Sequence, residues 1–179
     1  MALQSAKIDD PEIQDAMLVS QNRVKSMCIL HQKLYQSEHI DFVEMKNYFK
    51  NLCENILDSY NETNRIKVDI DMKEVELDVD TAVPVGLIVN ELITNALKYA
   101  FPSGKKGNIK LSLENVNDDN LSLKISDDGI GKTLNTPAKG TGFGTQLVEL
   151  LTQQIDGKLV QKINNGTLII INFKRQIAA

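Results

Sequence analysis

From residue 10 to residue 60 apolar side chains recur every three or four positions, the rhythm of helices laid against neighbours. Asp10-Pro11-Glu12 supplies a cap, a proline at the first helical position and an acid in the first turn. Ile13, Met17, Val24, Met27 and Leu34 then keep the four-three spacing of a packing seam, with Ser20 and His31 filling its gaps. A short link over residues 36–40 leads to a second helix, capped by Asp41, with Phe42, Met45, Phe49, Leu52, Ile56 and Tyr60 on one face. So short a link makes the two helices antiparallel neighbours. Neither can bury both flanks alone, so the spacing predicts a bundle completed by a partner.

After Tyr60 the rhythm changes. Val68, Ile70 and Met72 alternate with charged residues, as do Val75, Leu77 and Val79, which predicts two strands. An apolar helix follows over residues 83–100, ended by Phe101-Pro102-Ser103-Gly104. Strands are expected over residues 108–114 and 120–126, a glycine-rich loop over 127–144 and a helix over 145–155. Segments 158–163 and 167–173 form a hairpin through Asn164-Asn165-Gly166. The order predicts an α+β chain: an N-terminal antiparallel helical hairpin over residues 1–62, then over 63–179 a two-layer α/β sandwich with a mixed sheet and helices on one face.

The helix over residues 83–100 carries polar groups that a core helix would not want. At about 100° per residue, Glu91, Asn95 and Lys98 fall within roughly 60° of one another. An acid, an amide and a cation so grouped on an otherwise apolar helix can bind a metal ion and a phosphate chain. Asp127-Asp128-Gly129-Ile130-Gly131 follows directly on a strand. It sets a carboxylate beside a sharply turning backbone with room for a flat ring, and the acceptor can take an exocyclic amine such as that of adenine. Gly140-Thr141-Gly142-Phe143-Gly144 precedes a helix, where free backbone N–H groups favour an anion. Taken alone, neither loop excludes a plain mobile glycine loop. The second is not a Walker loop, because no Gly-Lys-Ser/Thr triplet ends it, and it lacks the βαβ setting of a dinucleotide fold.

Composition narrows the partners. A net charge of −4 and a pI near 5.2 argue against nucleic acid or an anionic membrane. No apolar run approaches the roughly 18 residues that cross a bilayer, and the N-terminus has no signal-peptide pattern, so the expected compartment is the cytoplasm; a membrane-anchored parent protein stays open. Cys28 and Cys53 sit among apolar residues without metal-ligand spacing, which predicts two buried free thiols.

The polar-edged helix and the two glycine loops, in this order and spacing, resemble the ATP-binding domain of sensor histidine kinases. That fold, the Bergerat or GHKL fold, is shared with DNA gyrase, heat-shock protein 90 and mismatch-repair ATPases. Residues 90–100 resemble the asparagine box, 127–131 the first glycine box and 140–144 the second. Gln21-Asn22-Arg23-Val24-Lys25-Ser26-Met27 and Leu30-His31-Gln32-Lys33-Leu34-Tyr35 resemble the second dimerisation helix of the HisKA_2 type, related to the HWE kinases. Val83-Pro84-Val85-Gly86-Leu87 and Ala100-Phe101-Pro102 are similar to that subclass too, as is the missing phenylalanine box. The resemblance implies ATP and Mg²⁺ as cofactors, with Asn95 as metal ligand, Lys98 a phosphate contact and Tyr99 a neighbour of the nucleotide. Asp127 would read adenine, supported by the Thr167 hydroxyl. Gly129, Gly131, Gly140, Thr141, Gly142 and Gly144 would line the nucleotide, with residues 132–139 as a lid. Glu91 matches the acid that orients the reacting group or accepts its proton. The implied partners are a response-regulator receiver domain and a second copy joined through the N-terminal helices.

One departure limits the analogy. The family's phosphoacceptor lies in a His-Arg-Val-Lys-Asn-like context, and this sequence has none; its start resembles the very end of that helix. His31 is expected to be packed in the seam and His39 to lie on the surface. The chain is therefore expected to bind Mg·ATP without phosphorylating itself. Two other functions compete: an ATPase of the gyrase or chaperone type, revealed by steady phosphate release without a histidine substrate, and a phosphotransfer or scaffold protein, revealed by failure to bind nucleotide.

Overall fold

Alternating side chains on three long strands decide where the core lies. The computed structural model describes residues 10–35, 42–117, 119–131, 143–163 and 165–175. Helix α1 (Pro11–Tyr35) is followed by β1 (Phe42–Glu44) and α2 (Met45–Ser59). Then come β2 (Ile66–Ile70), β3 (Glu76–Asp78), α3 (Val79–Tyr99), β4 (Gly107–Asn115) and β5 (Asn120–Asp127). Helix α4 (Phe143–Gln154) and the hairpin β6 (Lys158–Ile163) and β7 (Thr167–Lys174) complete the order.

The main sheet runs β2-β4-β5-β7-β6, with β2 parallel to β4 and every other pair antiparallel, which is the mixed sheet expected. Ile109, Leu111 and Leu113 of β4, Leu121, Leu123 and Ile125 of β5, and Ile171 and Phe173 of β7 are buried at alternate positions. They join one core with Phe49, Leu52 and Ile56 of α2, Val85, Ile88, Val89 and Ile93 of α3, and Val148 and Leu151 of α4. Each such side chain contributes about 1.5–3 kcal/mol on leaving water. Helix α3 starts one turn earlier than the sequence suggests, because Asp78 caps it by accepting from the Thr81 amide (2.9 Å) and hydroxyl (2.8 Å).

The N-terminal region differs from expectation in three ways. Asp41 lies outside the described residues, and Glu44 is the cap of α2, its carboxylate accepting from the Lys46 and Asn47 amides. Phe42 is not on the helix face. It is exposed in β1, which pairs antiparallel with β3. On α1 three residues of the expected seam, Ile13, Val24 and Met27, are exposed and Met17 is half-buried, while the side chain of Leu34 lies outside the described residues; Asn22 and Ser26 are buried against the rest of the chain. The fully buried residues of this helix are thus polar and small, and much of the apolar seam is left for another surface. Cys28 follows that outward face and is exposed, contrary to expectation, whereas Cys53 is buried as expected. The side chain of His31 and all of His39 lie outside the described residues.

Gly86 decides how closely α2 and α3 approach. A Cβ there would overlap the Tyr48 ring and hydroxyl, and that hydroxyl donates to the Ser26 carbonyl of α1 (3.4 Å). Gly86→Ala should therefore destabilise by about 1–3 kcal/mol, as overpacking does, despite alanine's better helix propensity; urea unfolding measures it. Burial also pushes the Cys53 thiol up to about 12, so it stays protonated at pH 8. Iodoacetamide at that pH should spare Cys53 in the native protein and modify it only after unfolding in urea, as peptide mass mapping will read.

Candidate functional site

Helix α3 is apolar nearly all round, so any charge on it needs a partner. Glu91 is 2% exposed. Its carboxylate accepts from Arg23 of α1 in a bidentate pair, Nε to Oε1 at 2.5 Å and Nη2 to Oε2 at 2.9 Å. The Asn90 amide also donates to Oε1, at 3.4 Å. The Arg23 guanidinium carbon lies 5.1 Å from the centroid of the Phe143 ring, at the start of α4. Hydrogen bonding to Glu91 raises the Arg23 pKa further above its already high ordinary value, outweighing partial burial, so the cation is permanent. Gly144 completes the enclosure: a Cβ there would sit 2.9 Å from Glu91 Oε2.

One turn along α3 the environment opens. Asn95 and Lys98 are half-buried and Tyr99 is exposed. At the end of this helix the backbone of the first glycine loop is seated directly on Ala100. Ile130 N–H donates to the Ala100 carbonyl (2.9 Å), and a Cβ on Gly129 would overlap that carbonyl and the Ala100 methyl. The contact holds the loop that starts at Asp127 against the end of the helix that carries Asn95 and Lys98. Asp127 Oδ1 accepts from the Gly129 amide at 3.0 Å, an Asx turn that fixes the loop. Ser126 pairs with Leu168, which leaves Asp127 and Thr167 next in register on neighbouring strands. Gly166, at φ +122°, packs against the Asp127 carbonyl where a Cβ would clash. Gly131 takes a left-handed backbone (φ +68°) that favours glycine.

The two adjacent aspartates have separate work. Asp128 is exposed and binds β4, accepting from the Asn108 amide (2.7 Å) and side chain (2.9 Å). The Asn108 backbone N–H, more than burial, holds its carboxyl below the usual carboxylate range. Asp127 faces the glycine turn and Asp128 secures it.

The structure thus seats Gly129 and Ile130 at the end of α3, the helix that carries Glu91, Asn95, Lys98 and Tyr99, with Thr167 next to Asp127 in register, Gly131 beside Gly166 and Gly144 against Glu91. Gly140, Thr141, Gly142 and the expected lid lie outside the described residues. No group of three His, Cys, Asp or Glu among the described residues could hold a metal unaided. An ion here would come with its own phosphate ligands and take one amide oxygen from Asn95, a donor set that suits Mg²⁺. Sequence reasoning assigned no role to Arg23 or to the Phe143 ring. The signal was there, since a carboxylate amid Leu, Ile and Ala requires a cation.

Comparison with known proteins agrees with this geometry. Residues 80–177 match the family described as histidine kinase-, DNA gyrase B- and HSP90-like ATPase. The chain belongs to this family. Residues 1–60 also match a histidine kinase family of the HisKA_2 type. Over 110 residues, 60% of this chain and 32% of the relative, it is 32% identical to blue-light-activated histidine kinase 2 of Erythrobacter litoralis. Over 166 residues, 89% of this chain and 32% of the relative, it is 26% identical to the sensor histidine kinase PdtaS of Mycobacterium tuberculosis. The chain therefore spans about a third of the length of the curated relatives it matches. The solved histidine kinase domain of an Erythrobacter litoralis blue-light activated kinase superposes with a TM-score of 0.75, at 25% identity over 87% of this chain and 74% of that one. Membership in the histidine kinase-like ATPases accounts for the mixed sheet and for a nucleotide-binding fold.

Within this family fold, Gly144 has a steric role that can be tested. Gly144→Ala should push the Glu91 carboxylate out of line with Arg23, because the carboxylate is pinned and cannot swing away. In ¹⁵N spectra the Arg23 Nε–H resonance should lose its protection from solvent exchange. The Arg65 Nε–H, paired with Glu62 instead, should keep its own as an internal control.

Proposed function

We propose that the chain is the ATP-binding kinase module of a two-component sensor. It would direct the γ-phosphoryl group of Mg·ATP to a histidine for relay to a response-regulator aspartate. The observation that carries this reading is the seating of Gly129 and Ile130 on Ala100. It holds the loop of Asp127 and a bare backbone at the end of the helix that carries Asn95 and Lys98, which supports a flat base bound at the loop and charged phosphates along the helix. Bound Mg·ATP would supply the divalent charge and the reactive phosphoryl group. Asn95 would give the ion its protein ligand, Lys98 would neutralise phosphate charge, and Tyr99 would flank the base. Asp127, with Thr167 behind it, would accept from the adenine amine, while Gly129 and Gly131, with Gly140, Thr141, Gly142 and Gly144, would wrap the rest. Glu91 would accept the imidazole proton as the nitrogen–phosphorus bond forms and the bond from phosphorus to the leaving ADP oxygen breaks.

We assign residues 63–179 to nucleotide binding and 1–62 to the signalling helices. The exposed Ile13, Val24 and Met27 on α1 suit a second copy of the chain, which supports a homodimer through the N-terminal helices. Among the described residues no helix is long and apolar enough to cross a membrane. A cytoplasmic module that meets a receiver domain fits that observation and the acidic composition.

Calorimetry tests the assignment. Asn95→Ala should remove measurable Mg·ATP binding. Asp127→Ala should weaken ATP by about ten- to a hundredfold, the loss of one charge-assisted hydrogen bond, and should leave inorganic triphosphate binding nearly unchanged. Equal losses for both ligands would overturn the adenine role of Asp127. No binding by the unaltered protein would favour the scaffold reading.

A further inference from the structure

Glu91 has no route to a substrate in this conformation. Its side chain is 3% exposed and that of Arg23 20%. Arg23 occupies both carboxylate oxygens in the carboxylate plane, Asn90 lies on one side and Gly144 closes another. An acceptor nitrogen or a water cannot take up a position against that carboxylate until something withdraws. The guanidinium belongs to α1, and its far face rests on Phe143, at the start of the helix that follows the second glycine loop. One side chain therefore ties three elements: the signalling helix, the helix of the metal-ligand candidate and the glycine-loop helix.

The surface around the pair is not that of a permanent joint. Among the described residues, Asn22 Nδ2, Asn90 Oδ1 and Thr94 Oγ1 are buried without a hydrogen-bond partner. Asn22 and Asn90 directly precede Arg23 and Glu91 in sequence. Buried polar atoms without partners favour any state in which water reaches them. The fully buried residues of α1, Asn22 and Ser26, are polar, and Ile13, Val24 and Met27 face away, with Met17, Leu18 and Val19 half-buried. The fully buried part of the contact is thus polar and centred on the ion pair.

We propose that Arg23 is a releasable latch on Glu91: with α1 docked the carboxylate is sequestered and phosphoryl transfer is off, and movement of α1 frees it. Arg23 is a positioning residue that acts through Glu91. The proposal rests on the kinase reading above, and the test separates the two.

Four forms of the whole chain are compared: unaltered, Arg23→Gln, Arg23→Lys and the double variant Arg23→Gln with Glu91→Gln. Calorimetry measures Mg·ATP affinity, and phosphoryl transfer to added free imidazole, a stand-in for the histidine side chain, measures turnover. In that assay an imidazole nitrogen bonds to the γ-phosphorus, the bond to the ADP oxygen breaks, and the imidazole N–H proton passes to Glu91. Arg23→Gln should raise kcat by about fivefold or more, the lower end of ordinary coupling between sites. Its KM for ATP should stay within about twofold, since nucleotide binding is not what changes. Amide exchange across α1 should quicken by about tenfold while β4 and β5 stay protected, the mark of local undocking. Arg23→Lys keeps the charge without the fork and should fall between. The gain should vanish in the double variant. Unchanged or lower turnover with normal ATP affinity would overturn the latch alone, as would a gain that survives loss of Glu91 or unaltered exchange in α1. If Arg23→Gln proves unfolded by circular dichroism, Arg23→Lys decides: a gain in kcat supports the latch and no gain overturns it. Failure of the unaltered protein to bind Mg·ATP would overturn the kinase reading, and the latch with it.

Discussion

A carboxylate on an apolar helix has to be paid for somewhere, and in this chain the compensation for Glu91 organises everything near it. Desolvating an unpaired carboxylate is far costlier than any one packing contact. Pairing it inside the protein compensates only with good geometry and additional hydrogen bonds. Arg23 supplies the fork, Asn90 a further donor and Phe143 a face for the guanidinium. The demand then spreads. Gly144 must lack a side chain, and α1 must come from outside the sandwich to deliver the cation. Three segments far apart in sequence are fixed relative to one another by one charge.

The second constraint is steric. The loop after β5 can serve a nucleotide only if its backbone lies against the end of α3, and only glycine permits that. At Gly129 any Cβ would enter the Ala100 carbonyl. At Gly166, whose φ is +122°, a Cβ would enter the Asp127 carbonyl. The hairpin β6–β7 and the helix α3 therefore clasp the same short loop from two sides, each at a glycine. Asp127 and Asp128 divide the remaining labour, one facing the turn and the other tying it to Asn108 of β4. Two carboxylates side by side are tolerated because they point to different donors.

Most strands and all three long helices were legible because their periods are unambiguous: two in β4 and β5, near 3.6 in α2 and α3. The site was legible where spacing alone set it, as with Glu91, Asn95 and Lys98 on one helix edge. What spacing could not reveal was which face of α1 turns inward. Ile13, Val24 and Met27 point away, and the side chain that α1 turns toward α3 is Arg23, drawn by the buried Glu91 carboxylate. A single-chain pattern carries no information about a second surface, so an apolar seam reads the same whether it closes inside the chain or between chains. The short β1 escaped notice for a related reason. Three residues are too few to show a period, and Phe42 fits a helix face as well as a strand.

The two N-terminal helices are not mechanically alike. Helix α2 buries Met45, Tyr48, Phe49, Leu52, Cys53 and Ile56 in the same core as α3 and the sheet, and β1 just before it is hydrogen-bonded to β3. Moving α2 would open that core. Among the described side chains, α1 makes its fully buried contacts through Asn22 and Ser26 and its ion pair through Arg23, polar contacts that water can take over. A push along the hairpin therefore moves α1 across a nearly fixed α2. What such a displacement breaks first is the fork between Arg23 and Glu91, because a bidentate pair loses its geometry within a fraction of the shift that would unseat an apolar side chain. Mechanical input on the signalling helix is thereby converted into an electrostatic change at one carboxylate, with the catalytic layer itself left folded.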